Sequence, residues 1–215
     1  MASSASISTA DVQEKFTEAA HIAIRDASIG ERVREFQQAG FPIETAEGLE
    51  FCQRNVIEDA RIRFILETLF PWCSIGIYEV YRSNPDRIYA FMTGLNSERN
   101  AVVVRLQSPG SKVVLFNGSH TLPIKGFNAP NGLLEMLEAP LKGCKQMEID
   151  LPDGGLVLHD ARVSFRSIQG YSIKFACATR EEIQGWPKKK FPKALSSQAA
   201  AIETPTIGLN FKFED

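Results

Sequence analysis

Apolar residues recur at helical spacing over the first third of the chain. Across residues 9–40 the apolar positions follow a period close to 3.6, and Gly30 interrupts the pattern, which predicts two short helices. The same period over residues 45–69 predicts another helix, which Phe70-Pro71-Trp72 ends. His21 lies within the first helical segment. We expect it to be a surface or packing residue, because no second metal ligand stands one turn away.

From Ser74 onward the pattern changes to short runs rich in β-branched and aromatic residues. The first two runs are separated by a predicted turn at Ser83-Asn84-Pro85-Asp86, and residues 131–138 favour a short helix. Residues 188–205 look irregular. The predicted strands cover residues 75–80, 88–93, 101–106, 112–116, 144–151, 155–159, 173–178 and 206–213. Strands without alternating helices predict an antiparallel sandwich or barrel with helices packed outside.

Composition narrows the function classes. The chain has 215 residues, of which 44% are hydrophobic and 23% charged, and a formal net charge of -2. This balance is typical of a soluble globular protein and gives no reason to expect a nucleic-acid or membrane partner. The four cysteines are scattered without a CxxC pair, which is typical of a reducing compartment. No apolar run approaches the roughly 20 residues needed to cross a bilayer, so we expect a cytoplasmic protein.

Residues 153–167 combine a glycine turn, an apolar strand and a polar cluster. Gly154 and Gly155 form the turn, Leu156 to Leu158 are apolar, and His159 begins the polar part. Functional groups are concentrated where a rigid strand meets a loop. This stretch is therefore the first candidate for a site.

Two segments resemble one protein family. Residues 111–120 (SKVVLFNGSH) are similar to the strand before the "PGSH" segment of phytanoyl-CoA-dioxygenase-like proteins, and residues 153–162 (DGGLVLHDAR) are similar to a later strand of that family. The resemblance covers about residues 75–180. These proteins are a branch of the Fe(II)/2-oxoglutarate oxygenases. The resemblance implies a mainly β (α+β) fold, a double-stranded β-helix of the jelly-roll type in residues 74–215, with helical residues 1–73 packed on it in one domain.

The chain departs from this family at the metal ligands. The family holds iron with a His-x-Asp/Glu pair and a distal histidine. None of the three histidines, His21, His120 and His159, is followed two positions later by Asp or Glu. The alignment implied by the resemblance places Phe165 at the distal histidine and Lys174 at the basic residue that pairs with 2-oxoglutarate. We therefore predict a degenerate member with no iron site, no metal and no cofactor.

Without a metal, the polar groups near the former pocket carry the chemistry. We expect a cofactor-free enzyme that isomerises, cyclises (including pericyclic steps) or dehydrates an apolar small molecule, in a setting of natural-product biosynthesis. A neutral histidine can shuttle protons, and a buried cation can stabilise an enolate. The predicted catalytic residues are His159, Arg162 and Lys174, and the predicted substrate contacts are Tyr78, Arg105, Phe116, His120 and Phe165.

Three alternatives stay open at this point. His159 and Asp160 can simply satisfy a turn while Arg162 pairs with a surface acid. The protein can also be a non-catalytic binding or accessory protein. A genuine Fe(II)/2-oxoglutarate dioxygenase would need unorthodox ligands such as His120, His159 and Asp160, which is disfavoured because adjacent strand residues point to opposite faces. A homodimer through the N-terminal helices is a further option.

Overall fold

The computed structural model describes residues 8–93 and 98–215. Its helices are α1 (Thr9–Glu18), α2 (Ala27–Gln38), α3 (Ala46–Cys52), α4 (Ala60–Leu69), α5 (Arg180–Ile183) and α6 (Ser196–Ile202). Its strands are β1 (His21–Arg25), β2 (Cys73–Ala90), β3 (Ala101–Gln107), β4 (Ser111–Asn117), β5 (Phe127–Asn128), β6 (Leu134–Met136), β7 (Lys145–Leu151), β8 (Gly155–Asp160), β9 (Phe165–Ala178), β10 (Lys189–Pro192), β11 (Ile207–Leu209) and β12 (Phe211–Glu214).

The long strand β9 joins two halves of one sheet. Its C-terminal part lies between β2 and β3, and β8 and then β1 continue this half, all in antiparallel order. Its N-terminal part pairs with β4, which in turn pairs with β7. The sheet is mainly antiparallel, as the sequence predicts, and β11 adds a parallel strand beside β2.

Strand alternation sorts the side chains of the first half onto two faces. One face packs against the helices and contains Val102, Val104 and Leu106 of β3 together with Phe175 of β9. The opposite face turns toward the second half, where Tyr81, Val157 and Phe165 pack with residues of β4 and β7. We call the space between the two halves the interior. It is the environment of the candidate site.

Several predicted elements in the N-terminal third are wrong. His21 lies on β1 rather than in a helix, because Ala20 adopts a positive φ of 55° after α1 and the chain then pairs with β8. The single helix predicted over residues 45–69 is broken into α3, a π-helical turn (Gln53–Ile57) and α4. Asp59 starts α4 by accepting hydrogen bonds from the amides of Arg61 and Ile62.

Later predictions also need correction. The expected turn at residues 83–86 is part of β2, which absorbs the irregularity through shifts in its register with β9. The expected helix at residues 131–138 contains β6, paired with β2. Residues 188–205, expected to be irregular, contain β10 and α6. The turn predicted at residues 96–100 lies partly outside the described residues. Within the part of the chain that the structure describes, no helix is long and apolar enough to span a membrane.

The glycine turn before β8 is held against α2. Gly154 has a φ of +86°, and its carbonyl accepts a hydrogen bond from the Asp26 amide. A Cβ atom on Gly30 would lie 2.0 Å from the Asp153 carbonyl oxygen, so α2 touches the turn backbone to backbone. This contact fixes where β8 begins.

Candidate functional site

Three charged side chains form a row across neighbouring strands on the interior face. Lys174 of β9 lies opposite Arg105 of β3 on one side and opposite Glu79 of β2 on the other. Arg105 is 1% exposed and Lys174 is 3% exposed, so both cations are buried. We call Glu79, Lys174 and Arg105 the charged row.

Arg105 is held by serines and aromatic rings. Its Nη2 donates to Ser167 Oγ at 2.8 Å, and its Nε and Nη2 both lie 3.3 Å from Ser172 Oγ. The guanidinium lies over the rings of Phe165 at 4.5 Å and Tyr81 at 5.2 Å from their centroids. Burial lowers the pKa of Arg105 to about 10, so the group still carries its charge at neutral pH. Among the described residues, no carboxylate forms an ion pair with it.

Lys174 and Glu79 form an ion pair at the edge of the interior. The Nζ atom lies 3.0 Å from Glu79 Oε2, and the Glu79 side chain is 49% exposed. The same Nζ lies 5.0 Å from the Phe91 ring centroid and 5.6 Å from that of Tyr81. Burial lowers the pKa of Lys174, and Glu79 partly offsets this effect.

Two residues of the charged row, Lys174 and Glu79, lie on the walls of two neighbouring clefts. The volumes of these clefts are about 370 Å³ and about 580 Å³. Tyr81 lines the larger cleft, and residues 187–190 border the smaller one. A small molecule in either cleft would therefore contact the Lys174–Glu79 pair.

His159 lies deeper in the interior and is fully buried. Its Nδ1 lies 2.9 Å from the Asp160 carbonyl oxygen, which can only accept, so Nδ1 carries the proton. Burial, reinforced by the charge of Arg105, lowers the pKa of His159 to about 3. The imidazole is therefore neutral at physiological pH. Its ring lies 5.6 Å from that of Phe165 and 6.2 Å from that of Phe91.

Arg162 belongs to a different cluster. Its Nε donates to Asp160 Oδ1 at 2.9 Å and its Nη2 donates to Asp160 Oδ2 at 2.7 Å, and Arg99 contributes a third contact at 3.3 Å. Burial alone would raise the pKa of Asp160, but the hydrogen bonds from Arg162 outweigh it and the pKa is lowered. Arg162 thus pairs with an acid, as one alternative proposed, although this acid is buried. The charged row forms without Arg162.

His120 lies near this ion pair. It is buried in the 3₁₀ turn Ser119–Thr121, and burial lowers its pKa while the charge of Asp160 acts in the opposite direction. The Ser119 hydroxyl accepts a hydrogen bond from the Ser164 amide, so the turn is tied to the segment after β8. The sequence placed His120 among the substrate contacts, but the structure does not place it in the charged row.

Two further predicted contacts lie away from the interior. Tyr78 borders the smaller cleft, but its ring is buried on the helix side, where it stacks on Phe175 at 4.5 Å and its hydroxyl donates to the Gly48 carbonyl. Phe116 packs in a separate apolar cluster with residues of β2, β4 and β6. Of the five predicted substrate contacts, Arg105 and Phe165 are the two that share the interior with Lys174 and His159.

Glu79 and Tyr81 were not among the site residues predicted from the sequence. Both stand on β2, and they join the site only because β2 pairs with β9 in the register that sets Glu79 beside Lys174. Residues two apart on a strand share a face, so the spacing of Glu79 and Tyr81 was visible. The cross-strand register was not.

Phe165, which the resemblance aligns with the distal histidine, is part of an aromatic cluster. The Phe165 ring lies 6.4 Å from Tyr89 and 6.0 Å from Phe91, centroid to centroid. Tyr89 and Phe91 are two residues apart, the spacing that a His-x-Asp/Glu pair would need. Aromatic rings fill this region where a 2-His-1-carboxylate set would supply nitrogen and oxygen donors.

The donors do not fit a metal ion elsewhere either. Across residues 8–93 and 98–215, no three His, Cys, Asp or Glu side chains come close enough to hold one. The unorthodox set of His120, His159 and Asp160 is not assembled, because Arg162 and Arg99 bind the Asp160 carboxylate. The described residues therefore do not fit the iron that the fold family implies.

Comparison with known proteins shows the fold. No family model and no curated protein matches this chain. Among solved structures, the epimerase SnoN in complex with Fe3+, alpha ketoglutarate and nogalamycin RO superimposes with a TM-score of 0.59 at 12% identity, over 79% of this chain and 83% of that one. EctD from S. alaskensis with 2-oxoglutarate and 5-hydroxyectoine gives 0.58 at 10% identity, over 84% and 79%. AviO1 from Streptomyces viridochromogenes Tue57 gives 0.50 at 14% identity, over 86% and 99%.

These likenesses show the fold alone. The chain shares a mainly β architecture with these solved structures, as the sequence predicts. At identities this low, the similarity says nothing about which reaction the chain performs.

Proposed function

We propose that this protein is a metal-independent, non-redox enzyme on a double-stranded β-helix. It would isomerise, cyclise or dehydrate a mostly apolar small molecule, and a pericyclic step is among these reactions. The observation that carries the proposal is the Lys174–Glu79 pair, a buried amine and a half-exposed carboxylate at 3.0 Å on the wall of a cleft beside aromatic rings.

The pair can move a proton without a cofactor. A general acid works best when its pKa lies near the ambient pH, and burial moves the pKa of the protonated Lys174 downward. Glu79 reaches solvent and can exchange protons with it, while Lys174 can stabilise negative charge on a carbonyl or enolate oxygen in the cleft. Lys174 is thus the proposed catalytic residue, and Glu79 supports it. His159, neutral and enclosed, fits the packing around Arg105 better than a proton relay.

Among the described residues, no set of donor side chains fits a metal ion. This chemistry of the side chains is what supports a metal-independent enzyme. Phe165, which the resemblance aligns with the distal ligand, packs on Tyr89 and Phe91. SnoN is a non-heme alpha ketoglutarate dependent epimerase from nogalamycin biosynthesis. We extend only the natural-product setting of that protein to this chain.

Proton exchange in D2O tests the proposal without knowledge of the product. Apolar ketones would be incubated with EDTA-treated protein, and deuterium incorporation next to the carbonyl would be followed by mass spectrometry. We expect Lys174→Met to lower the exchange rate by about 10²- to 10⁴-fold, the usual contribution of a general acid or base. Lys193→Met is the control, because Lys193 is exposed and its one ion pair among the described residues is with Asp215.

Two results would contradict the proposal. One iron per chain with oxygen-dependent consumption of 2-oxoglutarate would show a genuine oxygenase with ligands that we did not recognise. Tight binding of a small molecule without any exchange or conversion would support a non-catalytic binding protein. The tight aromatic packing of Phe165, Tyr81 and Phe91 in the interior is the feature that favours this second candidate.

A further inference from the structure

Arg105 is a fully buried cation without a carboxylate partner among the described residues. We propose that it binds the carboxylate of an organic acid, so that the substrate of this protein is an acid with an apolar body. The inference deepens the proposed function and rests on it. It concerns a residue on β3, distinct from Lys174, which Glu79 already neutralises.

The hydrogen-bonding pattern leaves donors for such a ligand. Ser167 and Ser172 accept from Nε and Nη2 of Arg105, while Nη1 is buried and has no acceptor among the described residues. The Tyr81 hydroxyl and the Gln107 side-chain amide are also buried, and neither has a partner within residues 8–93 and 98–215. Gln107 stands two residues after Arg105 on β3 and therefore shares its face. Three donors on one face that lack acceptors match the two oxygens of a carboxylate.

The charges in the interior favour the same ligand. Arg105 and Lys174 are adjacent cations on paired strands, and Glu79 supplies the one carboxylate in the charged row. A buried charge without a counter-ion is costly, and an anionic ligand would remove that cost. The guanidinium lies over the rings of Phe165 and Tyr81, which fixes the direction in which Nη1 can donate to a carboxylate oxygen.

Arg105 itself lines neither cleft, but two side chains beside it do. Tyr81 lines the larger cleft and lies 5.2 Å from the guanidinium carbon, and Lys174 lines both clefts beside Arg105. An acid whose apolar body occupies the cleft would pass the Tyr81 ring to reach Nη1. The cleft of about 580 Å³ has room for a ring and a short chain.

Calorimetric titration of the full chain tests the inference. The probes are benzoate, cinnamate and 5-phenylpentanoate, each compared with its primary amide. For wild type, we expect at least one acid to bind at least tenfold tighter than its amide. Arg105→Met should abolish that preference, and Gln107→Leu should reduce it severalfold. Arg34→Gln is the control, because Arg34 is exposed and pairs with Glu31, and it should keep the wild-type preference.

A stability measurement separates binding from a structural role. Arg105→Met replaces an unpaired buried cation by an apolar chain of similar length, so its midpoint of guanidinium unfolding should equal or exceed that of wild type. Failure of this variant to fold would overturn the inference, as would equal binding of every acid and its amide in wild type, or an acid preference that survives both interior substitutions.

The outcomes distinguish this inference from the proposed enzyme. Acid preference that depends on Arg105, with no deuterium exchange, would defeat the enzyme and keep the carboxylate site. Lys174-dependent exchange on neutral carbonyl compounds, with no preference for acids over amides, would keep the proposed enzyme and defeat the carboxylate site.

Discussion

His159 shows how burial changes the role that a residue type suggests. In the sequence it follows an apolar strand and could serve as an acid or base near neutral pH. In the structure it is fully enclosed between Phe165, Phe91 and the charge of Arg105, which together hold its pKa at about 3. Its chemistry at physiological pH is that of a neutral hydrogen-bonding ring.

This burial makes stability depend on pH. The pKa of His159 is about 3 in the folded chain against 6.5 for the unperturbed residue, so the unfolded chain binds more protons between these values. The stability that the folded chain gains by keeping His159 neutral is fully present above pH 6.5 and is lost as the pH falls toward 3. We expect the free energy of unfolding of wild type to fall by about 1.4 kcal/mol per pH unit more steeply than that of His159→Gln in this window. The free energy of unfolding would be measured in urea at each pH. The same pH dependence in wild type and in His159→Gln would contradict the lowered pKa of His159.

The Asp160–Arg162 pair gives a second prediction for single residues. Arg162→Met would leave the buried Asp160 carboxylate with Arg99 as its remaining ion-pair partner among the described residues. We expect a loss of about 3–5 kcal/mol in the free energy of unfolding, measured by denaturant titration. The double variant Asp160→Asn, Arg162→Met should recover most of this loss, because no buried charge is left unpaired. An equal loss in both variants would show that packing of the arginine stem, rather than charge, dominates.

At the level of elements, the contact between α2 and the turn before β8 determines how β8 is positioned. From the sequence, Gly30 looked like a helix breaker. The structure places it inside α2, where the missing side chain allows the helix to touch Asp153 and Gly154. The sequence pattern indicates only that glycine weakens a helix. The role of Gly30 depends on its contact with Asp153, which is more than a hundred residues away in the chain.

Substitution of Gly30 by alanine tests this contact. Alanine is the better helix former by up to about 1 kcal/mol, so a positive effect would be expected from propensity alone. The new Cβ would instead lie 2.0 Å from the Asp153 carbonyl oxygen, and we expect a net loss of about 1–3 kcal/mol in the free energy of unfolding. Gly143→Ala is the matched control, because no atom approaches its Cβ position within 4 Å, and it should change stability by less than about 0.5 kcal/mol.

The helical residues before β2 show where local pattern fails. Ala20, Ala23 and Ile24 fit a helical stripe, yet Ala20 ends the helical path and the next five residues form β1. Strand β8 provides a partner for five residue pairs, and this tertiary pairing outweighs a weak helical preference. Sequence periodicity contains no information on such distant partners.

At the level of the whole molecule, the bounds of the core strands could largely be predicted from the sequence. Which strands pair with one another, and in which register, could not. The apolar runs that became β3, β4, β7 and β8 stand close to the predicted bounds, because each strand is short and bounded by turn residues. Lys174 and Phe165 were found through a resemblance in two short motifs. Glu79, Tyr81 and the serines around Arg105 depend on cross-strand register, which is set by the packing of both sheet halves together.

The N-terminal segment is expected to be essential for folding of the whole chain. Strand β1 covers the edge of β8, and Val12 and Phe16 of α1 are fully buried in the helix-side core. Deletion of residues 1–26 would expose that edge and part of the core, and exposed strand edges promote association. We expect the truncated chain to lose cooperative unfolding and to form concentration-dependent assemblies by light scattering. A peptide of residues 8–26 added in trans should restore a monomeric signal, because it can re-pair with β8. A truncated chain that is monomeric and unfolds at the wild-type midpoint would show instead that β1 is an accessory strand.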